Sequence, residues 1–230
     1  MRPGRWWRRA ALALAGTLVL GGLQAANSAP TLLDFSPEER QQILQHGPWP
    51  PPQARDAGNA LAGRPAAIAL GQRLFFETRL SPDGTLACAS CHVPGLAFAD
   101  GRARGQGRDT LDRHTPSLWN AGHQRWLGWD GAFDSLWSQA LHPLRNPSEM
   151  ATSGAHLHSL LQTDATLACA WRHAFGAPPA PDDNEATLLQ AAKALGAFVA
   201  TLQSGRTPFD NFRDALARHD HRAAARYPLA

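Results

Sequence analysis

The fold of this chain is best predicted from Cys88-Ala89-Ser90-Cys91-His92, a C-x-x-C-H motif. Two thiols three residues apart, followed at once by an imidazole, are typical of covalent haem attachment. In that interpretation Cys88 and Cys91 form thioethers with the two haem vinyl groups, and His92 is the proximal ligand of the iron. We therefore expect one covalently bound haem c per chain.

Paired cysteines also occur in redox sites and in zinc sites. A redox C-x-x-C does not require the histidine, and it normally opens a thioredoxin-like βαβ unit. A zinc knuckle needs a further pair of ligands, and the sequence offers none at suitable spacing. Both alternatives are therefore weaker than haem attachment for Cys88 and Cys91.

Residues 1–29 have the three parts of a secretory signal peptide. A basic start is followed by an apolar run over 10–23 and by small residues over 25–29. The arginines of the basic start are Arg2, Arg5, Arg8 and Arg9. The apolar run is short and broken by glycine, so an uncleaved membrane anchor is the lesser alternative. Because haem c is attached outside the cytoplasm in Gram-negative bacteria, we expect the periplasm as location, with no stable membrane insertion after signal cleavage.

The net positive charge of the chain comes from this segment. The sequence has 22 Lys and Arg against 19 Asp and Glu, with a pI of about 9.1. Four of the arginines and none of the acids lie within 1–29, which leaves 18 basic against 19 acidic side chains. The basic pI therefore belongs to the predicted signal, and we expect no nucleic-acid partner. The roughly 200 remaining residues suffice for one domain with a sizeable core.

Residues 30–63 are predicted to form an N-terminal arm that contains one short helix. The Ser-Pro-Glu-Glu sequence at 36–39 is a capping box with proline at the first helical position, and Gly47 ends the helix. The prolines within 48–52 predict an extended, polyproline-like chain laid over the domain. A ligand for a proline-recognition module is the alternative interpretation of this arm.

Residues 64–205 are predicted to form a mostly α, cytochrome c-like haem domain with long loops. The helix expected over 65–79 carries Gly71 and Phe75, a pair like that of the first helix of cytochromes c. There the glycine lets another helix cross closely. The expected partner is an apolar-striped helix over 185–203.

Other helix boundaries are expected from the apolar periodicity. One helix is expected to start near Asp130, and two short helices are expected over 156–162 and 163–175. Asp182 is the expected N-cap of the last helix of the domain, and Gly205 is its expected end.

Several motifs in the same order as the C-x-x-C-H motif resemble the bacterial di-haem cytochrome c peroxidase/MauG family. The matching segments are residues 74–81, 113–120, 129–131, 139–140, 146–150 and 208–210. The resemblance covers roughly residues 36–212 and implies the first, peroxidatic haem domain of that family.

The second haem domain of the family carries its own C-x-x-C-H, and this sequence has no second motif. The remaining cysteine, Cys169, lacks a partner thiol and is expected to be a buried helix residue. Residues 206–230 are then expected to be a linker toward an absent second haem domain. The chain is accordingly expected to be either a fragment of a longer protein or a natural single-haem form.

Carried over by position, the resemblance implies roles for residues outside the motif. Gln139 and Glu149 match the distal-pocket pair of the family, with Glu149 moving a proton between the peroxide oxygens. The alternative for Glu149 is a solvated loop acid. Trp129 matches a tryptophan that the family places between its two haems, and a core aromatic is the alternative there.

Two positions depart from the family pattern. Gln106 occupies the loop position at which resting enzymes of the family often place a histidine ligand. The sixth iron position is therefore expected to stay open, as in the MauG branch. His114 stands where the family has an asparagine ligand of the inter-domain calcium, which makes calcium binding doubtful.

The resemblance implies an enzyme that reduces hydrogen peroxide with electrons from a small redox protein such as a cytochrome c or cupredoxin. One alternative is a single-haem electron-transfer cytochrome c, which needs a closed iron site. Met150, the sole methionine after the predicted signal, is the ligand that this alternative requires. The other alternative is a MauG-like oxidase of a partner protein's side chain.

Overall fold

The computed structural model describes residues 34–52, 56 and 58–227, and the predicted signal peptide at 1–29 lies outside them. This described part contains nine α-helices and no β-strand, with isolated bridges as its β contacts. The helices are α1 (Pro37–Gln45), α2 (Pro65–Phe75), α3 (Cys88–Cys91), α4 (Leu136–Arg145), α5 (Gly154–Thr163), α6 (Ala165–Phe175), α7 (Asn184–Val199), α8 (Pro208–Ala217) and α9 (His221–Ala224). The prediction of a mostly α fold with long loops is confirmed.

The crossing of α2 and α7 forms the centre of the domain, as the sequence predicts. Gly71 lies against the backbone of α7, where an added Cβ would overlap the carbonyl oxygen of Ala194 and approach Phe198. Phe75, one turn later, is buried and packs its ring against that of Phe198 at 5.3 Å. The absence of a side chain at Gly71 is therefore what allows the two helices to approach so closely.

The start of α4 and both ends of α7 differ from the sequence prediction, since α7 ends at Val199 and not at Gly205. The N-cap of α7 is Asp183 and not Asp182, because the Asp183 side chain accepts a hydrogen bond from the N–H of Ala186 at 2.8 Å. Helix α4 begins at Leu136 and not near Asp130. The preceding residues are held out of the helix by a two-way backbone pairing between Leu127 and Phe133.

Helix α6 places its apolar side chains on one face, toward the main core. Leu167, Trp171 and Ala174 follow the helical repeat and are fully buried. Cys169 lies on the other side of the helix and is exposed. The prediction that Cys169 is buried is therefore wrong, because its position is out of phase with the buried stripe.

The described part of the 206–230 segment is mainly helical. Helices α8 and α9 pack with α1 around a second, small core that includes Phe212 and Leu216. The ring of Phe35, just before α1, meets the ring of Phe212 edge-on at 6.0 Å. Arg213 adds a hydrogen bond from Nη2 to the carbonyl of Leu44 at 2.9 Å. Both ends of the described chain therefore fold against each other.

The proline-rich segment follows α1 and contains cis peptide bonds before Pro48 and Pro50. Arg206 anchors this segment through a hydrogen bond from Nη1 to the carbonyl of Trp49 at 2.7 Å. Within the described ranges, none of the helices has the length and apolar character needed to cross a membrane.

Candidate functional site

Helix α3 is a single turn that sets the geometry of the C-x-x-C-H motif. Residues three apart lie on the same face of a helix, so Cys88 and Cys91 share one side of this turn. The N–H of His92 closes the turn with a hydrogen bond to the carbonyl of Cys88 at 2.8 Å. Both cysteines are partly buried. The three side chains therefore reach one shared region from a rigid turn.

The imidazole of His92 is fixed by the loop that follows it. Its Nδ1–H donates to the carbonyl of Phe98 at 2.9 Å, which leaves Nε2 as the ligating atom. Burial lowers the pKa of His92, while the carbonyls of Phe98 and Pro116 act in the opposite direction. The ring is therefore held as the neutral tautomer, which is the form that ligates a metal.

Burial also determines the state of the two thiols. It raises the pKa of Cys88 to about 12, and it raises the pKa of Cys91 as well. The thiol of Cys91 donates a hydrogen bond to the carbonyl of Gln106 at 3.2 Å. A redox C-x-x-C normally needs a thiol of lowered pKa, so these neutral, buried thiols disfavour that alternative.

A cavity of about 780 Å³ opens beside the motif. Cys88, Cys91 and His92 line it together with apolar side chains of α7, among them Leu195 and Val199. Its volume lies in the range of roughly 300–1,000 Å³ that is typical of cofactor sites. The thiol and imidazole donors, the apolar walls and the size of this space fit a haem c.

Gln139 and Glu149 line the same cavity as His92, so the structure brings the predicted distal pair and the proximal histidine together. Gln139 lies on α4, and its Oε1 is buried without a hydrogen-bond partner in the described part of the chain. Glu149 lies in the loop after α4, with 25% of its side chain exposed. Its Oε1 accepts a hydrogen bond from Nδ2 of Asn146 at 2.8 Å.

Trp129 lies at the rim of the cavity, not in the core. It lines the cavity, yet 55% of the residue is exposed. Its Nε1–H donates to the carbonyl of His114 at 3.0 Å, and the two rings meet edge-on at 4.4 Å. The alternative prediction of a core aromatic at this position is therefore wrong.

The side chain of Gln106 is exposed and lies outside the residues that line the cavity. Its Oε1 accepts a hydrogen bond from the hydroxyl of Thr110 at 2.9 Å. The next residue, Gly107, does line the cavity, and an added Cβ there would lie 2.5 Å from the carbonyl oxygen of Ser148. The loop at 106–107 therefore packs closely against the loop that carries Glu149.

Two polar neighbours of Glu149 have no role predicted from the sequence. Asn146 lies within the family-like segment 146–150, so the sequence could have indicated it as a site residue. Nothing in the sequence indicates a role for His142, although its Nε2 lies 3.9 Å from Oε1 of Glu149. Within the described ranges, no cluster of three or more His, Cys, Asp or Glu side chains is placed to hold a metal ion.

A family model described as di-haem cytochrome c peroxidase matches residues 65–217. The chain belongs to this family. Membership in the di-haem cytochrome c peroxidase family implies a c-type haem, in agreement with the motif and the cavity.

Curated relatives include the methylamine utilization protein MauG of Methylorubrum extorquens, which is 39% identical over 150 residues. That alignment covers 64% of this chain and 41% of the relative. The cytochrome c551 peroxidase of Pseudomonas aeruginosa is 33% identical over 145 residues, covering 61% of this chain and 40% of the relative. The chain thus spans about two fifths of the length of these two relatives.

The fold of this chain is similar to part of two solved structures. A MauG-like protein associated with microbial copper homeostasis superposes with a TM-score of 0.62 at 31% identity, over 72% of this chain and 48% of that one. The diheme peroxidase BthA from Burkholderia thailandensis gives a TM-score of 0.52 at 31% identity, over 60% of this chain and 38% of that one. In both cases the similarity is to part of a longer protein.

Proposed function

We propose that this chain is a c-type haem oxidoreductase domain that reduces hydrogen peroxide with electrons from a small redox protein such as a cytochrome c or cupredoxin. The observation that carries the proposal is the single cavity shared by the haem-attachment motif, Gln139 and Glu149. A proximal ligand and a pair of polar distal side chains in one enclosed space are what peroxide reduction requires of a haem protein.

In this proposal one haem c is held by thioethers from Cys88 and Cys91 and by Nε2 of His92. When bound, the haem supplies the redox chemistry that breaks the oxygen–oxygen bond of peroxide. The hydrogen bond from Nδ1 of His92 to Phe98 keeps the ligating nitrogen deprotonated and raises its basicity.

Glu149 and Gln139 provide proton transfer and orientation. Reduction of one peroxide to two waters consumes two electrons and two protons, so a proton carrier is needed beside the reacting oxygens. The hydrogen bond from Asn146 to Oε1 of Glu149 orients the carboxylate, which takes and releases the proton. The amide of Gln139 is available to hydrogen-bond a small polar substrate, since its Oε1 has no other described partner.

A second candidate function is oxidation of a partner protein's side chain. It is favoured by the exposed indole of Trp129 at the cavity rim and by the 39% identity to a MauG protein. An exposed aromatic at this position offers a route for electrons between the cavity and a docked protein. Loss of partner-protein oxidation in Trp129→Phe, with unchanged peroxide binding, would support this candidate.

Electron transfer without peroxide chemistry requires a closed iron site. Met150 is 6% exposed and lines the cavity, so it is the residue that such a carrier would use. Absorption and EPR spectra of the ferric protein separate the two functions. A high-spin spectrum supports the peroxide-reducing function, and a low-spin spectrum typical of His/Met ligation contradicts it.

The proposal places the mature protein in the periplasm, because the predicted signal peptide and the attachment of haem c both point outside the cytoplasm. Residues 64–205 are its haem domain, and hydrogen peroxide is its substrate. Neither calcium nor a nucleic acid is part of the proposal.

A further inference from the structure

His142 lies in the last turn of α4, between two separate spaces. On one side it lines the large cavity that contains Gln139 and Glu149. On the other side it lines a smaller open cleft of about 410 Å³, together with Arg145 and Pro147. With 54% of its side chain exposed, His142 is in contact with solvent as well as with the distal pocket.

The imidazole is positioned by neighbours on both sides. Its ring packs against the ring of Phe133, with 5.4 Å between the ring centres. Its Nε2 lies 3.9 Å from Oε1 of Glu149, which is slightly beyond direct hydrogen-bond distance. A small rotation of either side chain, or one bridging water, closes this gap.

Few other charged groups face this imidazole. Arg145, one turn later on the same helix, lines the small cleft, and its guanidinium is engaged by the carboxylate of Glu185 on α7. Asp130, from the segment before α4, lines the large cavity. Glu149 is therefore the carboxylate that lies close to His142, with 3.9 Å between its Oε1 and Nε2 of the imidazole.

From this arrangement we propose that His142 supplies protons from solvent to Glu149. This inference rests on the proposed function, since peroxide reduction consumes two protons that must enter the pocket. In each transfer the imidazolium of His142 gives the proton on Nε2 to the carboxylate of Glu149. The neutral imidazole, still protonated on Nδ1, then regains a proton on Nε2 from hydronium or a buffer acid in the solvent that reaches its exposed side chain. His142 is thus a positioning residue for proton supply, acting through Glu149.

A pH–rate profile tests the proposal with a matched control. In the haem-loaded wild type supplied with electrons by a reduced small redox protein, the rate of peroxide reduction should fall as the pH rises, with an inflection between about pH 5 and 8, where histidine changes charge. In His142→Gln that inflection should disappear, and the rate at about pH 6 should fall roughly 3- to 30-fold, less than the 10²–10⁴-fold of a direct acid–base group. His173→Gln, at an exposed histidine on α6 outside both cavities, should retain the wild-type profile.

NMR gives a readout that does not depend on turnover. The imidazole signal of residue 142 is assigned by its loss in His142→Gln, using the reduced, carbon monoxide-bound protein, which is diamagnetic. At one fixed pH, Glu149→Gln should move this signal, because the variant replaces the carboxylate that lies 3.9 Å from Nε2. An unmoved signal would overturn the coupling between the two side chains.

The outcomes separate this inference from the function on which it rests. If Glu149→Gln slows the peroxide reaction but His142→Gln leaves the pH–rate profile unchanged, the proton-supply role is wrong and the proposed function stands. If Glu149→Gln leaves the peroxide rate unchanged, the distal assignment fails, and the proton-supply role fails with it.

Discussion

Asn146 donates a hydrogen bond from Nδ2 to Oε1 of Glu149 at 2.8 Å, and the two residues belong to the same loop after α4. The Oδ1 of Asn146 also accepts the N–H of Ser148 at 3.1 Å. Asn146 therefore fixes both the backbone of this loop and the carboxylate that it presents to the cavity.

Asn146→Ala should slow the reaction with peroxide. A hydrogen bond to a charged group contributes roughly 1.5–3 kcal/mol, which corresponds to about a 10- to 100-fold loss of rate if the bond orients the reacting carboxylate. Covalent haem content should stay unchanged, because the motif cysteines are untouched. Rapid mixing with peroxide measures the rate, and an alkaline pyridine spectrum measures the haem. A rate equal to wild type would remove Asn146 from the site.

Covalent attachment should depend on two of the three cysteines. After export and maturation, the haem of the wild type should remain with the protein through acid–acetone extraction, at one haem per chain. Cys88→Ser and Cys91→Ser should each lose one thioether, which shifts the pyridine spectrum of the haem. Cys169→Ala is the matched control and should leave the haem content unchanged, because Cys169 is exposed on α6. Extractable haem in the wild type would contradict the attachment.

Gly71→Ala should destabilise the protein by about 1–3 kcal/mol, the usual cost of overpacking a core. The added Cβ would overlap the backbone of Ala194, which cannot move without separating α2 from α7. Gly205→Ala is the control, because nothing lies within 4 Å of a Cβ added there. Urea unfolding followed by circular dichroism measures both free energies of unfolding. Equal stabilities for the two variants would show that the crossing tolerates a side chain.

Asp164 should make the protein more stable at neutral than at acid pH. The N–H of Leu167, which it caps, and the guanidinium of Arg79 lower the pKa of this carboxyl group. Because the folded-state pKa lies below the unfolded one, the stabilisation is complete above the unfolded pKa of about 4. It is lost as the pH falls through the lowered folded-state value.

Asp164→Asn keeps a side-chain cap for α6 but removes this charge. We expect the fall in the free energy of unfolding between about pH 6 and pH 3 to be smaller in Asp164→Asn than in the wild type. Asp112→Asn, at an exposed loop position, should follow the wild type. Urea titrations at several pH values make the comparison, and an identical pH dependence in Asp164→Asn would refute the linkage.

The features that the sequence predicts correctly are local in the chain. The capping box at Ser36 and Glu39 is formed as expected, because it involves residues three apart. The crossing at Gly71 was predicted from the resemblance of the Gly71/Phe75 pair to the first helix of cytochromes c, where the glycine lets another helix approach closely. The burial of Cys169, by contrast, was predicted wrongly, since that prediction rested on the general tendency of free cysteines to be buried and not on the phase of the helix.

Other features depend on contacts between distant residues and carry no local signal. The small core of α1, α8 and α9 joins residues such as Phe35 and Phe212, which are far apart in the sequence. The approach of His142 to Glu149 depends on the loop that follows α4. The orientation of Gln106 could not be predicted either. Its position in the sequence does not indicate that its side chain accepts a hydrogen bond from Thr110 and lies away from the cavity.

The most direct measurement is stopped-flow mixing of the ferric protein with hydrogen peroxide, comparing the wild type with Glu149→Gln. Removing a positioned proton-transfer group should slow the reaction roughly 10²–10⁴-fold at unchanged haem content. Gln139→Ala should cost less, because it removes an orienting hydrogen bond and not the proton carrier. Glu38→Gln, at an exposed carboxylate on α1 that lies outside the cavity, should react like the wild type. A rate in Glu149→Gln equal to that of the wild type would contradict the assignment of the site.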